Sequence, residues 1–112
     1  MTKVVFYTLD SVIRGFEASG HAGYAEAGSD IVCAAISALT QSTAGGISEV
    51  VKAPVDIRMD EDTGYFSCMI VPSATSDEIN KSQILLETLK MALTEISKDY
   101  PGTIRIIIRE RR

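Results

Sequence analysis

The stretch KVVFYTLDSVIRGFEA, residues 3–18, sets the class of the fold. KVVFYTL, residues 3–9, is rich in β-branched and aromatic side chains, which favour a strand. Asp10-Ser11 is a turn signal, and VIRGFEA, residues 12–18, predicts a second strand. The chain is therefore predicted to open with an antiparallel hairpin.

A glycine-rich loop, residues 19–28, follows this hairpin. Ser29 or Asp30 is placed to cap a helix over residues 31–43. The glycine pair at 45–46 then either ends or kinks that helix.

The middle of the chain is predicted to form a second hairpin. ISEVVKA, residues 47–53, fits either a continued helix or a connection. VDIRM, residues 55–59, and YFSCMIV, residues 65–71, predict two strands joined by the turn DEDTG.

The last part of the chain predicts one long helix and one strand. Thr75 and Glu78 have the spacing of a capping box, and apolar residues then recur at helical spacing to about Lys98. TIRIIIR, residues 103–109, predicts the final strand. The order ββαββαβ indicates an α+β fold with antiparallel hairpins in a sheet and two helices covering one face. We expect a single domain over residues 1–112.

Composition limits the classes of function. The 112 residues are 46% hydrophobic and 23% charged, which is typical of a globular protein. The formal net charge of −4 argues against general binding to nucleic acid. The apolar runs are shorter than the roughly 20 residues that cross a bilayer. Without a secretion signal, the two cysteines indicate free thiols in a reducing compartment. We therefore expect a cytoplasmic protein with no membrane and no direct nucleic-acid partner.

The two cysteines differ in their predicted surroundings. Cys68 shares a strand face with Phe66 and Ile70, which predicts a buried thiol. On a helical wheel that places Ile31 on the apolar arc, Cys33 falls outside that arc, beside Ser37 and Thr40. It also lies in the first turn of the helix, where unpaired backbone N–H groups and the helix dipole stabilise a thiolate.

His21 is the only histidine in the chain and lies in the glycine-rich loop ahead of Cys33. A neutral imidazole can take the proton of a thiol and later protonate a leaving amine. The alternative is an ordinary loop histidine beside a partly exposed thiol. One histidine and two cysteines supply at most three soft ligands, whereas a structural zinc site needs four. We therefore expect no metal and no cofactor.

The segment from Ser19 to Leu39 also resembles a known family. It contains S-G-H-A-G-Y and G-S-D-I-V-C-A-A, with the histidine and the cysteine at fixed spacing. This run closely resembles the signature of the ribosomal-processing cysteine proteases, called Prp. The layout of the whole chain is similar to that family as well.

The resemblance implies an activity and a site. Members of that family remove a short N-terminal extension from a large-subunit ribosomal protein, number twenty-seven, and form homodimers. Their catalytic cysteine and histidine match Cys33 and His21. Gly20 matches the hinge of a mobile loop that closes on substrate.

The roles of the neighbouring residues have alternatives. Asp30 either caps the helix or orients His21. Ser37, one turn after Cys33, either hydrogen-bonds the substrate or the thiol, or is an ordinary polar-face residue. Tyr24 and Glu26 are candidates for contact with substrate. We expect backbone N–H groups at the start of the helix, near the cysteine, to bind the oxyanion of the reaction.

The competing class of function is a non-enzymatic ribosome-associated binding protein. The basic end of the chain supports it, with arginines at positions 105, 109, 111 and 112. The negative net charge opposes it, as does the lack of a platform of aromatic and basic residues on the strands.

Overall fold

The structure is a computed structural model that describes residues 1–23, 25–26 and 30–111. Tyr24, Ser29 and Arg112, all considered above, lie outside the described residues.

The opening hairpin is present as expected. Strands β1 (Thr2–Leu9) and β2 (Val12–Ser19) pair antiparallel. Asp10 and Ser11 connect them with φ angles of 52° and 67°. Two consecutive residues at positive φ form the kind of two-residue turn whose twist matches that of the strands.

The first helix runs past the glycine pair. Helix α1 (Ile31–Gly45) continues without a break into a π-helical segment, Gly46–Val51. Both glycines have right-handed helical angles, and the helix ends where Lys52 adopts a φ of 63°. The prediction that the helix ends at the pair is therefore wrong, and ISEVVKA is mostly helix. A kink at the pair stays a prediction.

Together these two segments form a helix of 21 residues, Ile31–Val51, which is long and apolar enough to cross a membrane by length and composition alone. A helix in a protein core can meet the same two criteria. Here Val32, Ile36, Ala44 and Ile47 are buried in the core of the fold.

The remaining elements follow the predicted order. They are β3 (Val55–Asp60), β4 (Tyr65–Ile70), α2 (Ser76–Asp99) and β5 (Ile104–Glu110). The predicted capping box is present: the Glu78 N–H donates to Thr75 Oγ1 at 3.1 Å, and the Thr75 N–H donates to Glu78 Oε1 at 2.8 Å.

The five strands form one sheet in the order β3-β4-β2-β1-β5. The neighbours β3 and β4, β4 and β2, and β2 and β1 are antiparallel, whereas β5 runs parallel to β1. The sheet is therefore mixed. The pairing of β2 with β4 places the loop after β2 beside the turn that precedes β4.

The core lies between one face of the sheet and the two helices. Phe6, Phe16 and Cys68 are register neighbours on three strands, and all three are fully buried. The helices contribute the buried side chains of Val32, Ile36, Leu86, Leu89 and Leu93 to the same cluster. This arrangement confirms the predicted α+β class, with the helices on one face.

Candidate active site

His21 lies beside the second hairpin. Ala18 on β2 pairs with Phe66 on β4, so the chain just after β2 meets the chain just before β4. A Cβ atom at Gly64 would lie 2.7 Å from the Gly20 carbonyl oxygen and 3.1 Å from His21 Cε1. The glycine therefore permits a close approach that places the exposed imidazole against the hairpin turn.

Gly20 occupies a position that favours glycine for two reasons. Its φ is 84°, and a Cβ atom there would lie 3.0 Å from the Met1 carbonyl oxygen. The Thr2 hydroxyl donates to the Gly20 carbonyl at 3.5 Å. The backbone between β2 and His21 thus packs on the start of β1. The hinge role implied by the resemblance stays a prediction.

Asp30 is the N-cap of α1. Its Oδ1 accepts hydrogen bonds from the N–H groups of Val32 at 3.0 Å and Cys33 at 2.9 Å. Its Oδ2 accepts from the Ala25 N–H at 3.3 Å, so the same buried carboxylate ties the glycine-rich loop to the helix. These contacts fit the capping interpretation. An orienting contact with His21 stays a prediction.

The Cys33 thiol is half-buried in the first turn of α1 and receives a backbone donor. The Ala22 N–H points at Cys33 Sγ, with a nitrogen–sulfur distance of 3.1 Å. The Cys33 N–H itself is occupied by Asp30. The cap therefore already uses the N–H groups of Val32 and Cys33. The expectation that N–H groups at the helix start bind the oxyanion stays a prediction.

The cleft in front of α1 has a volume of about 640 Å³. Five of the residues singled out from the sequence line it: Gly20, His21, Asp30, Cys33 and Ser37. Ser37 is exposed on the helix face one turn after the cysteine. Glu26, a candidate for substrate contact, is exposed but is not among the described residues that line the cleft.

The second hairpin forms another wall of the cleft, which was not predicted from the sequence. Met59, Asp60, Glu61, Gly64 and Tyr65 line the cleft opposite α1. The sequence identified DEDTG only as a turn, and its position depends on the pairing of β4 with β2.

Tyr65 fixes this wall to the sheet. Its hydroxyl donates to Glu17 Oε2 on β2 at 2.8 Å. Because β2 leads directly into the loop that carries His21, this contact links the second hairpin to the strand that precedes that loop.

The helical wheel placed the side chains of Thr40 and Ile31 wrongly. Thr40 is fully buried, because its hydroxyl donates to the Ile36 carbonyl at 2.8 Å and leaves only the methyl group to pack. Ile31, expected on the apolar arc, is 56% exposed. The buried face of α1 is thus rotated from the predicted apolar arc toward Cys33. Cys33 packs against the core on one side and faces the cleft on the other.

Cys68 is buried, as its strand alternation predicts. It is 1% exposed. Burial raises the pKa of its thiol to about 11, and the nearby charge of Asp56 adds to the effect. Within the described residues, no group of three or more His, Cys, Asp or Glu side chains is arranged to hold a metal ion.

Comparisons of the sequence with a family model and with known proteins all indicate the same family. The family model described as cysteine protease Prp matches residues 1–105. The ribosomal processing cysteine protease Prp of Bacillus subtilis is 31% identical over 97 residues, which cover 87% of each chain. The protein of the same name from Staphylococcus aureus is 33% identical over 87 residues, which cover 78% of each chain.

The fold agrees with a solved structure. The ribosomal processing protease Prp from S. aureus, in complex with a covalently linked product peptide, superposes with a TM-score of 0.84 at 27% identity. The match covers 97% of this chain and 100% of that one. These matches favour the protease over the binding-protein alternative. The chain belongs to the Prp family of cysteine proteases.

Proposed function

We propose that this chain is an endopeptidase that removes the N-terminal extension of a large-subunit ribosomal protein, number twenty-seven. The names of the curated relatives support a role in ribosomal-protein processing. The observation that carries the proposal is that Cys33 and His21 line the same cleft, with the thiol at the capped start of α1.

In the proposed mechanism, His21 takes the proton of the Cys33 thiol. The thiolate then attacks the scissile carbonyl carbon, a sulfur–carbon bond forms, and the π electron pair moves to the carbonyl oxygen. When the carbonyl reforms, the carbon–nitrogen bond breaks and the leaving amine takes the proton held by the imidazolium. An acyl-enzyme thioester remains.

Water completes the cycle. His21 accepts a proton from a water molecule as the water attacks the thioester carbonyl, and the sulfur–carbon bond then breaks. The sulfur recovers its proton from the imidazolium, and the carboxylic acid product leaves and releases its own proton to solvent as it becomes a carboxylate. The chain supplies every group that this sequence of steps uses, and no cofactor takes part in it.

The test is cleavage of the extended ribosomal precursor, followed by mass spectrometry. Wild-type protein, Cys33→Ala and His21→Ala are compared, with Cys68→Ala as the matched cysteine control. We expect wild type and Cys68→Ala to make a single cut, and both site variants to lose it while keeping the circular dichroism of the folded protein.

Two results would contradict the proposal. One is cleavage by a folded Cys33→Ala protein. The other is loss of cleavage in a folded Cys68→Ala protein while Cys33→Ala stays active, since that would move the nucleophile to the second thiol.

We also propose that the protein acts in the cytoplasm and as a homodimer. The homodimer is implied by the resemblance to the family, and the cytoplasmic location is supported by the predicted reducing compartment. Sedimentation equilibrium of the purified protein across a range of concentrations measures the mass in solution. A mass equal to that of one chain at every concentration would contradict the dimer.

A further inference from the structure

Two of the N–H groups expected to bind the oxyanion, at the start of α1, already donate hydrogen bonds to another group. In the thiol mechanism, negative charge moves from the sulfur to the carbonyl oxygen, and a protease binds that oxygen with N–H groups about 2.7–3.1 Å away. The N–H groups of Val32 and Cys33 both donate to Asp30 Oδ1. A donor near the sulfur that does not belong to this cap is therefore a candidate.

The Ala22 N–H already points at the reacting sulfur, at 3.1 Å. The carbonyl oxygen of a bound substrate is separated from Sγ by a single carbon once the sulfur–carbon bond forms. A donor directed at the sulfur is thus close to the position that the oxygen takes. The sulfur loses its charge in that step and becomes a weak acceptor, whereas a charged oxygen is a strong one.

The fold holds this peptide unit in place. Ala22 is 2% exposed and packs in the hydrophobic core, although its neighbours His21 and Gly23 are exposed. Gly20 and Gly23 have φ angles of 84° and 72°. Left-handed glycines on both sides let the chain turn sharply, so that one methyl group points into the core while its N–H faces the thiol.

We propose that the backbone N–H of Ala22 is a donor of the oxyanion hole. It donates a hydrogen bond to Cys33 Sγ in the resting enzyme and to the substrate oxygen in the transition state. This inference rests on the proposed function, since it requires Cys33 to be the nucleophile. The donor gives up no atom in the reaction, because only its hydrogen-bond partner changes.

The test replaces the amide N–H with an ester oxygen and leaves the side chain intact. The chain is assembled by chemical ligation at Cys33, with lactic acid in place of Ala22. The matched control carries lactic acid in place of Ala74, whose N–H donates to the Val71 carbonyl at 3.0 Å in the turn before α2. Both proteins lose one N–H from an alanine.

We expect the ester at Ala22 to lower kcat by about 10²–10³-fold, the usual loss of one oxyanion donor. KM and the rate of Cys33 alkylation by iodoacetamide should stay within a few-fold, because alkylation forms no oxyanion. The Ala74 ester should keep the wild-type kcat. A kcat near wild type for the Ala22 ester overturns the inference. An alkylation rate that falls as far as kcat also overturns it, because the N–H would then act on the thiolate alone.

A second measurement uses the unmodified protein and covers an ester variant that does not fold. A peptide aldehyde adds to the thiol, forms a sulfur–carbon bond and turns the carbonyl into a tetrahedral centre with one oxygen. A crystal structure of this adduct should place that oxygen about 2.7–3.1 Å from the Ala22 nitrogen. An oxygen directed away from Ala22 overturns the inference. If wild type shows no Cys33-dependent cleavage, the proposed function itself has failed.

Discussion

The sulfur atoms of the two cysteines have different neighbours, and these neighbours set what each thiol can do. Cys68 faces the core between Phe16 and Ile57 in the register of the sheet. Cys33 faces the cleft and has a backbone N–H at 3.1 Å. A buried thiol in an apolar environment resists ionisation, whereas the Cys33 thiol is accessible from the cleft.

The pKa of Cys68 predicts how stability depends on pH. Its pKa is about 11 in the folded protein, against an ordinary value of 9.0. Between these two values the unfolded chain releases the proton and the folded chain keeps it. The contribution of Cys68 to the free energy of unfolding is therefore complete below pH 9 and is lost as the pH rises to about 11.

The measurement is urea denaturation of wild type and Cys68→Ala at several values between pH 7 and pH 10. At pH 7 the variant should be less stable by about 1 kcal/mol, the usual cost of one point substitution. This difference should shrink as the pH rises. A difference that stays constant up to pH 10 would contradict a raised pKa. Tyrosine and lysine titrate in both proteins and cancel in the comparison.

At this scale, side-chain placement could be predicted for the strand better than for the helix. A strand alternates with a period of two, so three residues were enough to put Cys68 in the core. On the helix, Thr40 is classed as a polar residue, but its hydroxyl donates a hydrogen bond to the Ile36 carbonyl one turn earlier, and the side chain is buried. The contact between the Ala22 N–H and the sulfur could not be predicted, because a backbone donor leaves no mark in the sequence.

Among the elements, the glycine-rich loop and the second hairpin are in direct contact. Gly64 and Gly102 both have positive φ angles, of 68° and 81°. They differ in their neighbours: a Cβ atom at Gly64 would lie 2.7 Å from the Gly20 carbonyl oxygen, and one at Gly102 would have nothing within 4 Å. Alanine substitutions at these two glycines therefore distinguish the effect of backbone strain from the effect of displacing the glycine-rich loop.

We expect Gly102→Ala to lose about 1–2 kcal/mol of stability, since an L-residue in left-handed conformation is strained by that amount. Gly64→Ala should lose more, because its Cβ atom would also clash with the Gly20 carbonyl oxygen. Only Gly64→Ala should also lower kcat/KM for precursor cleavage, because it displaces the backbone that carries His21. Urea denaturation and cleavage kinetics measure the two effects. Equal cleavage by both folded variants would show that the hairpin does not position the loop.

The glycine pair in the first helix makes a second matched comparison. A Cβ atom at Gly45 would meet nothing within 4 Å, whereas one at Gly46 would lie 3.1 Å from Leu85 Cδ1 on α2. Gly45→Ala should raise stability by about 0.5–1 kcal/mol, as expected for alanine in place of glycine inside a helix. Gly46→Ala should gain less, because Leu85 must move. A larger gain at Gly46, seen in thermal unfolding, would contradict this packing argument.

The elements themselves could largely be predicted from local signals. The turn at Asp10-Ser11 and the capping box at Thr75 and Glu78 were both correct, because each depends on residues a few positions apart. The prediction that the first helix ends at the glycine pair was wrong, because glycine both breaks helices and allows two helices to approach each other. Which of these applies depends on Leu85, nearly 40 positions away in the chain.

For the molecule as a whole, charge should influence the choice of substrate. Asp60 and Glu61 lie at the cleft, and no lysine or arginine is found among the described residues that line it. The net charge of the chain is −4. A peptide with lysines beside the scissile bond should therefore be cleaved with a higher kcat/KM than the same peptide with glutamates. Salt screens exposed charges, so the ratio should fall between 50 and 500 mM salt.

The double variant Asp60→Asn/Glu61→Gln should reduce this preference. Asp77→Asn/Glu87→Gln is the matched control, because it changes the net charge equally on the exposed surface of α2, away from the cleft. If both double variants alter the preference to the same extent, the total charge of the protein is responsible and the cleft residues are not.

The number, type and order of the elements could be predicted, but the arrangement of the sheet could not. Period-two patterns identify strands without naming their partners, and TIRIIIR fits a parallel neighbour as well as an antiparallel one. The parallel pairing of β5 with β1, and the β2–β4 pairing that builds the second wall of the cleft, depend on residues far apart in sequence. For this reason the α1 side of the site was predicted and the hairpin side was missed.

The parallel strand also has a consequence during translation. The β1–β2 hairpin leaves the ribosome early, but the other neighbour of β1 is the last strand to be synthesised. Only then can the Thr2 N–H donate to the Thr103 carbonyl, at 2.9 Å, and the Thr8 hydroxyl to Glu110, at 2.9 Å. Until that moment one edge of β1 is unpaired and can pair with another nascent chain. Messages truncated before residue 104 should therefore give aggregation-prone products, even though they encode every residue of the cleft.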